Sequence, residues 1–129
     1  MYSKILVGTD GSETAAEAVR QAAELAKLHD AELIIMHGAR TSSPAPDVGY
    51  AMPAVDVEGV HAAGNDILRD AQGRVGEGVK VRTVMRDGDP AECLLDSAEE
   101  EGADLIVVGN RGMKGAKRFL LGSVPNRVA

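Results

Sequence analysis

The chain has 129 residues, of which 44% are hydrophobic and 26% charged, and 14 Lys and Arg stand against 20 Asp and Glu for a formal net charge of −6 at pH 7. That length suits one domain spanning residues 1–129, with core enough for a few strands and helices. The acidic balance argues against a general nucleic-acid binder, a single cysteine excludes an internal disulfide or a multi-cysteine zinc site, and no apolar run reaches a membrane span; neither nucleic acid nor membrane is expected as a partner, and a cytoplasmic location is.

Aromatic residues make up 2% of the chain and there is no Trp, so the core must come from Ala, Val, Ile and Leu. Such a core favours helices packed closely on a sheet. The first strand is expected at Lys4–Gly8. A helix follows from Glu13 to Leu28, with Ser12 as its N-cap and Ala15, Ala18, Val19, Ala22, Leu25 and Ala26 on one face of the helical period. The second strand spans Glu32–His37. Arg40–Asp56, rich in Ser, Pro and Gly, reads as a loop over the ligand edge of the sheet. A second helix covers Val57–Gln72, weakened by Gly59 and Gly64. Val79–Met85 is charged enough to be an edge strand. Asp89-Pro90-Ala91-Glu92 is a helix start, with Asp89 as N-cap, Pro90 at the first position and Glu92 completing a capping box. That helix ends at Glu101, before Gly102. Leu105–Val108 is the fourth strand, and a fourth helix is expected to open at Ser123-Val124-Pro125. His37 and Cys93 read as structural residues, Cys93 as a small buried thiol.

Strands alternating with helices give an α/β fold with a doubly wound, open parallel sheet of strand order 3-2-1-4. In such a sheet ligands bind beyond the carboxyl ends of the strands where the order reverses, here between the first and fourth strands. The segments at that crevice are Thr9–Ser12 and Asn110–Leu121. The second is glycine-rich and carries Arg111, Lys114, Lys117 and Arg118 within an acidic chain. A glycine-rich loop between a strand and a helix start brings N–H groups close to an anion, which the helix dipole also favours.

Two motifs refine this reading. Gly109, Gly112 and Gly122-Ser123 form a G-x2-G-x9-G-S pattern, and the first strand runs into Thr9-Asp10-Gly11-Ser12. Together they resemble the universal stress protein family, in its ATP-binding type, over nearly the whole chain. The resemblance implies a Rossmann-like fold of the adenine nucleotide alpha hydrolase kind. It implies ATP or another adenine nucleotide, such as AMP or cAMP, as ligand, and a role in stress response or energy sensing. Carried onto this sequence, the site comprises Gly8, Thr9, Asp10, Gly38, Val108, Gly109, Arg111, Gly112, Gly122, Ser123 and Val124. Asp10 stands near the ribose or adenine and can reach a Mg²⁺ or Mn²⁺ ion on the phosphates.

The residues leave alternatives open. Asp10 can serve only to cap the first helix, and Ser123 can be an N-cap with or without a phosphate. There is no G-x4-G-K-[ST], no G-x-G-x-x-G after the first strand and no H-x-G-H stretch. A nucleotide sensor with at most slow ATP hydrolysis is therefore expected; a weak Mg-dependent ATPase or phosphotransferase and an interaction module without nucleotide are the other readings. The family's fifth strand is absent, so the chain reads as short at its C-terminus, with the edge of the fourth strand bare or covered by something else. A homodimer is expected if the C-terminus is complete. Pro125 stands where the family often has a hydroxyl residue.

Overall fold

The computed structural model describes residues 2–40, 57–110 and 118–123. In chain order these form β1 (Lys4–Gly8), α1 (Glu13–His29), β2 (Glu32–Ala39), α2 (Val57–Gly73), β3 (Lys80–Asp87), α3 (Pro90–Glu101), β4 (Leu105–Asn110) and β5 (Arg118–Ser123). The sheet has the order β3-β2-β1-β4-β5. The first four strands in that order run parallel, with Ile5 opposite both Leu33 and Leu105. The 3-2-1-4 order and the switch point between β1 and β4 are as the sequence predicts.

The outer edge of β4 is where expectation and structure part. Arg118–Ser123, which the sequence pattern presents as the end of a loop and the start of a helix, is a strand. It pairs antiparallel with β4, from Asn110 opposite Arg118 to Leu105 opposite Ser123. The physical reason is the bare edge itself: β4 presents a row of N–H and C=O groups that demand partners, and Phe119-Leu120-Leu121 is an apolar run of strand length. Among the described residues the sheet therefore has five strands, the fifth built from Arg118–Ser123, ahead of the expected fourth helix and not from a strand beyond it. The helix expected beyond Gly122 and the 41–56 part of the long loop lie outside the described residues.

Both faces of β1 and β2 are covered, which accounts for their unbroken apolar runs. Ile5, Val7, Leu33 and Ile35 point to the face held by α1 and α2. Leu6, Ile34 and Met36 point to the other, against Cys93 and Ala98 of α3. The alanine stripe of α1 lets that helix lie close to the sheet. Its ends are capped: Ser12 Oγ accepts from the Ala15 N–H at 3.1 Å, and Asp30 closes the helix in the left-handed region at φ 55°. In α3, Asp89 Oδ2 accepts from the Glu92 N–H at 3.1 Å and Gly102 terminates the helix at φ 69°. Forked ion pairs fasten α3 to the edge strand β3: Arg86 to Glu100 at 2.7 and 3.1 Å, and Arg82 to Glu101 at 2.5 and 3.2 Å. These hydrogen bonds hold both glutamates below the usual carboxylate range.

The start of β1 is tied down by Asp104, whose Oδ2 accepts from the N–H groups of Lys4 at 3.0 Å and Ser3 at 2.6 Å. Those two bonds push the Asp104 carboxyl below its ordinary range. A folded-state value below the unfolded one stabilises the fold above the ordinary carboxylate range, and the contribution is lost as pH falls through the folded value. Asp104→Ala should thus lower the unfolding free energy by about 1 kcal/mol near neutrality and by less at about pH 2, where the carboxylate is being protonated. Urea titrations at both pH values check the difference.

Candidate functional site

A cleft of about 240 Å³ opens at the carboxyl ends of β1, β2 and β4. Gly8, Thr9 and Asp10 come from the end of β1 and the turn after it, and Ser12 and Ala15 from the start of α1. Met36 and Gly38 come from β2, Val108 and Gly109 from β4, and Pro90, Ala91 and Leu94 from the first turns of α3. The walls are mainly apolar, and Asp10 is the ionisable side chain of the described lining.

The turn that carries Asp10 is built by its own side chains. The Thr9 N–H donates to the Met36 carbonyl at 2.9 Å. Thr9 Oγ1 accepts from the Gly11 N–H at 3.2 Å, and Asp10 Oδ1 from the Ser12 N–H at 3.0 Å. Gly11 takes φ +83°, which a side chain would strain. Asp10 is exposed at the mouth of the cleft. It therefore builds the Asx turn ahead of α1, while the N-cap itself is Ser12.

The glycine at the end of β4 has a packing reason. A Cβ built on Gly109 would lie 2.7 Å from Thr14 Cγ2 and 2.9 Å from the Thr14 carbonyl oxygen. The first turn of α1 thus rests directly on the end of β4, and this contact sets the width of the cleft on that side. On the opposite side, the Pro90 Cα lies 3.2 Å from where a Gly38 Cβ would sit. Arg40 also bridges to Asp89 at 2.9 Å. The Glu92 N–H, then Arg40, hold the Asp89 carboxyl below its usual range.

Of the residues expected at the site, Gly8, Thr9, Asp10, Gly38, Val108 and Gly109 come together. Gly122 and Ser123 do not join them in this arrangement. They stand opposite Ile106 and Leu105, roughly 10 to 13 Å along β4 from Gly109. Arg111, Gly112 and Val124 lie outside the described residues. The α3 wall is not among the sequence-based expectations. Its signal is nonetheless present, because the helix after a parallel strand starts at the carboxyl ends of the strands, and Asp89-Pro90 marks that start.

Cys93 is 5% exposed, and burial pushes its thiol up, away from a reactive thiolate. Among the described residues no group of three or more His, Cys, Asp or Glu side chains is placed to hold a metal ion. Asp10 could supply one carboxylate ligand to a cation that arrives already bound to phosphates. No helix among the described residues is long and apolar enough to cross a membrane.

The universal stress protein family model matches residues 1–129. The chain is 38% identical over 138 aligned positions to universal stress protein YxiE of Bacillus subtilis, covering all of this chain and 93% of that one. A family protein from Burkholderia pseudomallei superposes with a TM-score of 0.70 at 37% identity, over 84% of this chain and 82% of that one. A universal stress protein solved in complex with cAMP superposes with a TM-score of 0.61 at 35% identity, over 87% of this chain and 79% of that one. With the predicted strand order, the two motifs and these likenesses in agreement, the chain belongs to the universal stress protein family.

Proposed function

We propose that this protein binds an adenine nucleotide in the cleft between β1 and β4 and reports its presence to a partner in stress or energy signalling. The observation that carries the reading is the cleft itself: an apolar slot at the switch point, floored by strand-end glycines and edged by one carboxylate. Such a slot suits a flat heterocycle whose polar rim meets backbone groups. The cAMP complex of a relative at 35% identity supports the same ligand class. In this reading residues 1–129 form one cytoplasmic domain, which pairs as a homodimer where its C-terminus is complete. Gly8, Thr9, Asp10, Gly38, Val108 and Gly109 surround the nucleoside. Arg111, Gly112, Gly122, Ser123 and Val124 take the phosphates, with Mg²⁺ or Mn²⁺ entering on ATP beside Asp10. Because β5 holds Gly122 and Ser123 at the far end of β4, a triphosphate has to draw that strand away to reach them. No histidine or second carboxylate lines the described cleft, so sensing is favoured over efficient hydrolysis.

The test is a thermal-shift panel with ATP, ADP, AMP, cAMP and GTP, with and without Mg²⁺. A ligand at about a hundred times its Kd adds roughly 2.7 kcal/mol of stability. The expected result is a shift with adenine nucleotides that Gly112→Val removes, since a bulky side chain there blocks phosphate approach. No shift with any of them would leave an interaction module of the same fold. Mg-dependent turnover lost in Asp10→Ala would make the protein an enzyme.

A further inference from the structure

His37 is 8% exposed at the end of β2, and its Nδ1 lies 2.8 Å from the Thr9 carbonyl oxygen. A carbonyl oxygen only accepts, so Nδ1 carries the hydrogen and donates it. Of the two neutral tautomers, only the one with hydrogen on Nδ1 can make this bond. Its other side faces α2: a carbon built on Gly64 would fall 2.9 Å from His37 Cδ2 and 3.5 Å from Nε2. The ring is clamped between α2 and the turn that edges the cleft.

Thr9 is itself 8% exposed, and hydrogen bonds reach it from three directions. Its N–H donates to the Met36 carbonyl, its hydroxyl oxygen accepts from the Gly11 N–H, and its carbonyl accepts from His37 Nδ1. The third bond differs in kind from the other two, because it comes from a side chain on another strand. A trans peptide sets its C=O and N–H antiparallel in one plane. Fixing the Thr9 carbonyl on His37 therefore turns the Asp10 N–H the opposite way and sets the course of the backbone through Asp10 to Ser12.

We infer that His37 is a positioning residue of the nucleotide site, holding the Thr9–Asp10 peptide in its binding orientation by a single Nδ1–H bond. The inference rests on the proposed function for its ligand but not for its bond. His37 touches no ligand; it acts through Thr9. Removing the donor leaves the Thr9 carbonyl buried without it, and the peptide is free to turn.

The experiment uses the whole chain in three forms: wild type, His37→Leu and His37→Asn. Asn presents an N–H donor close to the position of Nδ1, whereas Leu fills similar space without one. Long-range ¹H–¹⁵N spectra of the wild type should show the neutral His37 ring protonated at Nδ1; protonation at Nε2 alone would overturn the inference. Amide exchange at Gly11 and Ser12 should speed up about tenfold in His37→Leu and return to near the wild-type rate in His37→Asn. Affinity for cAMP should fall about tenfold in His37→Leu and stay within about threefold in His37→Asn. Equal exchange and equal affinity in all three forms would overturn positioning, as would an Asn variant as impaired as Leu. Should the wild type bind no nucleotide, the proposed function fails on its own, while the tautomer and exchange results still decide whether His37 holds the turn.

Discussion

Gly109→Ala is expected to destabilise the fold and weaken nucleotide binding together. The new methyl would lie 2.7 Å from Thr14 Cγ2, 2.9 Å from the Thr14 oxygen and 3.1 Å from its carbonyl carbon. A threonine methyl can rotate aside, but the backbone of the first turn of α1 cannot. The helix start must therefore lift off β4, at about 2–3 kcal/mol by the usual penalty for overpacking. In a chain of this length that lowers Tm by about 10 °C. Ser12 and Ala15 line the cleft from the same turn, so the site widens as the helix moves. Thermal unfolding and cAMP titration of the variant check both parts. A glycine kept only for phosphate access would give a different result, lost binding at wild-type stability.

Gly64→Ala should also destabilise, against the sign that helix propensity alone dictates. In the interior of a helix this change ordinarily gains about 1 kcal/mol. Here the added carbon would lie 2.7 Å from Met85 Sδ and 2.9 Å from His37 Cδ2. Met85 can swing its thioether away, but the His37 ring is held at 2.8 Å on the Thr9 carbonyl and cannot yield without breaking that bond. A net loss of about 1–2 kcal/mol follows. Gly73 ends the same helix in open space, with nothing within 4 Å of where its Cβ would sit, and Gly73→Ala should be neutral or stabilising by roughly a few tenths of a kcal/mol. Urea denaturation of the pair reads the contrast, and equal effects at the two positions would contradict the packing assigned to Gly64.

These glycines show which parts of the molecule are legible in the sequence. The α3 boundaries are readable because Asp89-Pro90-Ala91-Glu92 and Gly102 are local signals, complete within the helix itself. The β1 span and the 3-2-1-4 order follow from apolar runs and connection rules, which need no knowledge of partners. Gly64 reads as a weakness in α2 because its reason for being small, His37 and Met85, lies on two other strands. The ends of β2 and β4 run further than expected, to Ala39 and Asn110. Gly38 and Gly109 have little strand preference of their own and are paired only through Arg86 and Phe119. β5 is hidden for a different reason: the glycine and basic pattern around Phe119-Leu120-Leu121 carries a competing reading, and a local motif cannot register the demand of a bare strand edge. At the cleft, the contributions of β1, β2 and β4 follow from their place at the strand ends. Those of Pro90, Ala91 and Leu94 do not, since a capping motif says where a helix starts and not which cavity it walls.

The central claim is that the crevice between β1 and β4 takes an adenine nucleotide, and an amide NMR titration with cAMP and ATP, using GTP as the control, tests it most directly. The expected result is saturable shifts at Gly8, Thr9, Asp10, Gly38, Ala91, Val108 and Gly109 with the adenine ligands, and much smaller ones with GTP. Saturating ligand that leaves these amides unmoved, or moves only amides on the outer surfaces of α1 and α2, would contradict it.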